Sequence, residues 1–233
     1  MKRKKAVNYV KNSSKNSRKH FPEYDFGSFQ MLIQSPLPDH IDVHEIFSDI
    51  KSVIPNHILE SLDVIYVGDF SFLKEREINA MYSDGAIYIS NVQDNNEDLK
   101  DDIVHELAHA IDEKYHDFIY ADGKIEDEFL LKRNQLKRTL AYSGRDISKY
   151  DFYETEYNEE FDDLLSKEIG FDALRLITVD IFTNPYAATS LKEYFASCFE
   201  KFYLEEQVYL KQLCPYVYKK LSLLNNEDYL ETY

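Results

Sequence analysis

Apolar residues recur at helical spacing over 42–54, where Val43, Ile46, Phe47 and Ile50 share one face and Pro55 ends the run. Residues 62–67 form a short β-rich run closed by Gly68-Asp69. The pattern then predicts a helix over 72–81, a turn at Ser83-Asp84-Gly85 and a strand over 86–90. The polar stretch 94–98 supplies N-cap candidates and first-turn acids for a helix over 99–115, with Ile103, Leu107, Ala110 and Ile111 as its buried stripe. Further helices are expected over 126–140, 158–167 (Gly170 as C-cap), 173–182 (stopped by Asn184-Pro185), 190–205 and 216–224. Residues 142–157 are polar and aromatic without a clear period. The expected architecture is α+β and mostly helical, with a small sheet.

Composition narrows this picture. Hydrophobic residues make up 44% of the 233, with 19 Tyr and 15 Phe, which allows a sizeable core. Six Gly and six Pro argue against a loop-rich all-β fold or a repeat array. No Pro/Gly/Ser linker divides the chain, so one domain is expected over 21–233. Cys198 and Cys214 lie in helix-like apolar sequence and read as buried free thiols.

Charge is unevenly spread. The net charge is −16, yet residues 1–20 hold eight Lys/Arg and no acid, leaving 19 basic against 43 acidic groups in the remainder. The first twenty residues read as a basic, disordered tail. So acidic a body repels nucleic acid and anionic membrane and favours cationic partners. No apolar run is long enough to span a bilayer, and the basic start is not followed by a signal-peptide h-region. The chain is therefore expected to be cytoplasmic at synthesis, with any export following another route.

The chemistry sits in His105-Glu106-Leu107-Ala108-His109. On a helix, positions i and i+4 share a face, so two imidazoles so placed can hold one zinc ion, and the Glu beside the first can reach a water on the metal. Such a motif arises by chance in roughly one chain in fifty of this length, so context has to decide. A catalytic zinc needs a third protein ligand, and many acids follow the motif. Ser190-Leu191-Lys192-Glu193 reads as a capping box, in which Glu193 would close back on the helix start. Glu200 shares the Glu193 face one heptad on. It stands as the rival third ligand or as a carboxylate supporting a zinc-bound His. Asp112 shares the His105 face and is either such a supporting group or an exposed acid. His20, His40, His44, His57 and His116 have no partner at ligand spacing and read as surface or packing residues.

The segment from Asn184 to Ala196, with Tyr186 and Glu193-Tyr194-Phe195-Ala196, resembles the second signature of the anthrax lethal factor-type metallopeptidases. His105-Glu-Leu-Ala-His-Ala-Ile-Asp112 resembles the first. That family includes the catalytic domain of lethal factor and the bacterial Pro-Pro endopeptidases, and the resemblance covers about 62–224. It implies a zincin-like fold holding one Zn2+ on His105, His109 and Glu193. In it Glu106 acts as general base and Tyr186, seven residues before Glu193, steadies the oxyanion. It also implies that the strand over 86–90 is an exposed sheet edge on which an extended peptide pairs. The expected function is zinc-dependent hydrolysis of peptide bonds, with basic-flanked or proline-containing substrates, as in a toxin or secreted effector. The alternatives are an intracellular zincin that clips a regulatory protein, and an inert zincin-fold binding module.

Overall fold

The computed structural model describes residues 22–230. The basic tail and His20 lie outside the described residues. In chain order the elements begin β1 (Glu23–Asp25), β2 (Gln30–Ile33), α1 (Val43–Val53), α2 (Asn56–Leu59), β3 (Val64–Gly68), α3 (Ser71–Glu75), β4 (Ala80–Ser83) and β5 (Ala86–Ser90). They continue with α4 (Asn96–Lys114), α5 (His116–Tyr120), α6 (Lys124–Tyr142), α7 (Glu159–Asp163), a π-helical turn (Leu164–Gly170) and α8 (Phe171–Ile177). A 3-10 turn (Tyr186–Ala188) leads into α9 (Leu191–Leu204), α10 (Gln207–Leu213), α11 (Pro215–Leu224) and α12 (Glu227–Leu230). The fold is α+β, as expected, and the helices expected over 42–54, 99–115, 126–140, 190–205 and 216–224 are present. The one expected over 158–167 is divided into α7 and the π-helical turn, and the one expected over 173–182 ends at Ile177, with Asp180 at a positive φ of 59° beyond it. Two compact units divide the chain, one of residues up to Asp49 with Leu62–Ile103, the other of Ile50–Ser61 with Val104 onward.

The first unit is built on an open, mixed five-stranded sheet of order β1-β2-β3-β5-β4. β2, β3 and β5 run parallel, and antiparallel β1 and β4 form the two edges. Alternation puts Met31, Ile65 and Ile87 in one cross-strand row and Ile33, Val67 and Ile89 in the next, all buried. The other face carries the row Leu32, Tyr66, Tyr88 and Met81. There the two tyrosine rings stack at 5.3 Å, and Phe70 and Phe72 meet Tyr88 edge-on.

Two expectations are corrected here. The strand over 86–90 is not an edge: β3 pairs with one side of it and β4 with the other, so its ladder is occupied. The helix expected over 72–81 is only the short α3, because Glu77 takes a positive φ of 56° that ends helical continuation and sends the chain into β4. β4 and β5 are joined by Asp84 and Gly85, both at positive φ (50° and 80°), the pattern of a two-residue type I′ hairpin turn.

The second unit is helical. α6, α9 and α11 pack against one another, and α9 is buried over Tyr194–Phe199 without interruption. Cys198 and Cys214 are free and buried, as expected. A row of charged side chains on α6 enters this core. Glu128 accepts from the Tyr194 hydroxyl at 2.8 Å and the Tyr216 amide at 3.0 Å. Lys132 Nζ donates to the Ile181 and Leu213 carbonyls, each at 2.7 Å. Buried polar groups cost little only when so satisfied. No described helix is long and apolar enough to cross a membrane.

The hairpin supplies a stability test. At Gly85 a Cβ would meet Asp63 Oδ2 at 2.9 Å and would sit on a backbone at φ +80°. Gly85→Ala should therefore cost about 1–3 kcal/mol in a urea titration. An unchanged midpoint would mean that the turn relaxes freely.

Candidate metal centre

α4 carries His105 and His109 one turn apart, with ring centroids 5.2 Å from each other. The helix is held by Leu107, Ala108, Ala110 and Ile111, all at most 1% exposed, so its orientation leaves the two imidazoles on a half-buried face. Opposite them stands Glu193, in the first turn of α9. That helix is capped by Ser190, whose Oγ accepts from the Glu193 amide at 3.2 Å. Only the Ser half of the capping box is made in this way. The Glu193 carboxylate turns instead to the histidines, Oε2 lying 2.9 Å from His105 Nε2 and Oε1 3.4 Å from His109 Nε2.

Donor atoms of His105, His109 and Glu193 lie within 4.8 Å of one another, close enough for the three residues to hold a metal ion. Glu200 approaches His105 from the other ring nitrogen, Oε2 to Nδ1 at 3.5 Å. It thus faces away from the converging donor atoms, where a carboxylate orients the imidazole instead of sharing its ligand face. Glu106, the neighbour of His105 on α4, is 8% exposed. Tyr186 opens the 3-10 turn ahead of α9, its ring 6.1 Å from that of His105. Asp112 is not exposed: it is buried, with Oδ1 3.9 Å from His116 Nδ1.

Electrostatics bind these groups together. Burial alone would lower the His105 pKa, but the carboxylates of Glu193, Glu200 and Glu106 more than offset it and raise it to about 10. Burial would likewise raise Glu193, but the two imidazoles hold it down to about 2. Burial, then the charges of Glu193, Asp162 and Glu106, push the Tyr186 phenol above its ordinary value. It therefore keeps its proton at neutral pH and can donate a hydrogen bond. Burial raises Asp112, partly offset by the Tyr120 hydroxyl.

The remaining histidines are elsewhere. His40 Nε2 meets the Asp94 carbonyl at 2.9 Å, His57 Nε2 meets the Leu224 carbonyl at 2.9 Å, and His44 packs edge-on to Tyr24. Two neighbours of the site were not singled out from sequence. Asp162, with Tyr157 OH 3.4 Å from its Oδ2, acts electrostatically on Tyr186 and follows the stretch without a clear period. Arg133 grips the turn that carries Tyr186. Its signal was present, because it stands in register with Phe129, Leu136 and Leu140 on the apolar stripe of α6.

The pair makes stability depend on pH. His105 rises from 6.5 to about 10, so its stabilising contribution is whole below pH 6.5 and drains away as pH climbs through 10. Glu193 falls from 4.5 to about 2, so its contribution is whole above pH 4.5 and is lost as pH falls through 2. Chelator-treated protein should accordingly lose stability between pH 7 and about 10, and His105→Gln should flatten that slope. Identical slopes in denaturant titrations of the two proteins would sink the assignment. No protein-family model, curated protein or solved structure matches the chain significantly, so the centre is read from its own residues.

Proposed function

We propose that the chain is a zinc-dependent endopeptidase with zincin-like chemistry of the lethal factor type. The observation that carries the reading is the Glu193 carboxylate shared between His105 and His109, with Glu106 and Tyr186 alongside. Donors about 2.0–2.2 Å from a tetrahedral zinc lie roughly 3.3–3.6 Å apart. The 3.4 Å from Glu193 Oε1 to His109 Nε2 falls in that range, whereas His105 Nε2 is 2.9 Å from the other oxygen, Oε2, so a small turn of the carboxylate is needed to present one oxygen to a metal between the two imidazoles. Two imidazoles and one carboxylate are a donor set that suits zinc and leaves a place for water. When bound, zinc supplies Lewis acidity, lowering the pKa of a coordinated water and polarising the scissile carbonyl.

The chain's own residues do the rest. Glu106 accepts the proton of the attacking water and returns it to the departing amine. Tyr186, protonated at neutral pH, donates a hydrogen bond to the oxygen on which negative charge develops. Glu200 holds the far side of the His105 ring and keeps Nε2 aimed at the ligand position. The acidic character of the chain favours substrates with basic residues near the cut.

Elemental analysis of folded, metal-replete protein should find one zinc per chain, and its absence would remove the reading. Glu106→Gln should lower peptide hydrolysis by about 10²–10⁴-fold with zinc retained; full activity would exclude Glu106 as the base. Glu193→Ala should release zinc to a weak chelator. Glu200→Ala should weaken zinc affinity only about 10–100-fold. The reverse order would exchange the roles of the two acids.

A further inference from the structure

Arg133 is 1% exposed and has no ion-pair partner among the described residues. Burial lowers its pKa, to about 10, with Asp151 and Glu154 opposing, so the guanidinium is still charged at neutral pH. A charge taken out of water must be met by hydrogen bonds, and here main-chain carbonyls meet it at both terminal nitrogens, while the buried Nε has no partner among the described residues. Nη1 donates to the Ala188 oxygen at 2.7 Å and the Thr189 oxygen at 3.2 Å, and Nη2 donates to the Asp151 oxygen at 3.2 Å. The group lies over the Phe161 ring at 3.7 Å, with Phe129 and Phe152 beyond. An apolar side chain would fill this volume more cheaply, so the position of those three carbonyls is what the charge secures.

Two of these carbonyls belong to the segment between Tyr186 and Glu193. Within it, Thr189 Oγ1 donates back to the Tyr186 oxygen at 2.9 Å. The Ala187 amide donates to Asn184 Oδ1 at 2.8 Å, and the Leu191 amide to the Thr155 oxygen at 2.8 Å. The Asp151 carbonyl lies four residues before Thr155, so the guanidinium joins the 151–155 loop to the Tyr186 turn at both ends.

We propose that Arg133 is a positioning residue of the metal centre: through the Ala188 and Thr189 carbonyls it fixes the turn that carries Tyr186 and so sets where the phenol stands relative to His105. The catalytic consequence rests on the reading of Tyr186 as the oxyanion donor; the anchoring does not. A lysine ammonium cannot span three carbonyls as the planar fork does, so Arg133→Lys removes the clamp and keeps the charge.

The test is hydrogen exchange by mass spectrometry, with peptide hydrolysis as a second arm. In Arg133→Lys, exchange should rise about tenfold or more over 184–191 while α6 and α9 stay protected. Turnover should fall about tenfold to a hundredfold with KM little changed. In a Tyr186→Phe background the same substitution should cost little more, since both act through one group. Thr189→Val, which loosens the turn and leaves Arg133 in place, should reproduce both effects even where Arg133→Lys does not fold. Exchange rising evenly across the second unit, or full additivity with Tyr186→Phe, would make Arg133 a packing residue and overturn the proposal. Localised exchange in a protein that hydrolyses no peptide would uphold the anchoring and remove the endopeptidase reading alone.

Discussion

A carboxylate divided between two imidazoles is held only if the two helices that carry them are held first. Glu193 leaves α9 in its first turn, where backbone amides would otherwise compete for its oxygens. Ser190 takes the available amide and frees the side chain to cross to α4. The start of α9 is in turn set by the Tyr186–Ala188 turn, by the Thr155 carbonyl and by the guanidinium of Arg133. The second unit thus places its polar groups in tiers, each fixing the backbone from which the next side chain extends.

α6 is the source of several of these ties. Glu128, Lys132 and Arg133 reach residues far along the chain, among them Ile181, Ala188, Tyr194, Leu213 and Tyr216. An apolar helix face packs with several partners at similar cost, whereas a buried charge accepts only the arrangement that satisfies it. Specificity of register is the advantage of such residues over leucine, and α9, buried on nearly all sides, depends on register most.

Much of this was legible in the chain. The motif helix and its buried stripe followed from period and cap signals, and the Glu193 alternatives were set out by Ser190 and the heptad to Glu200. What failed to show depends on distant partners. β2, of four residues, owes its existence to pairing with β3 across thirty-odd residues of chain, and β1, of three, rests in turn on β2. Residues 72–81 carry no Gly or Pro that would mark a break, and the positive φ at Glu77 divides them into a helical turn and a strand. The interior position of β5 was partly encoded, since Asp84-Gly85 is a hairpin signal that gives 86–90 a neighbour on its near side. The partner on its far side is non-local and left no trace in the sequence around it.

The carbonyl-bound cations of α6 also divide the molecule by its response to ionic strength. Dissolved ions screen exposed charges over about 8 Å at physiological concentration. With a net charge of −16, the exterior is relieved of self-repulsion as salt is added. Lys132 and Arg133 are buried and solvated by peptide carbonyls in direct contact with them, at distances far below the screening length. Salt therefore acts on the outside of this protein and leaves the scaffold of its candidate metal centre as it was.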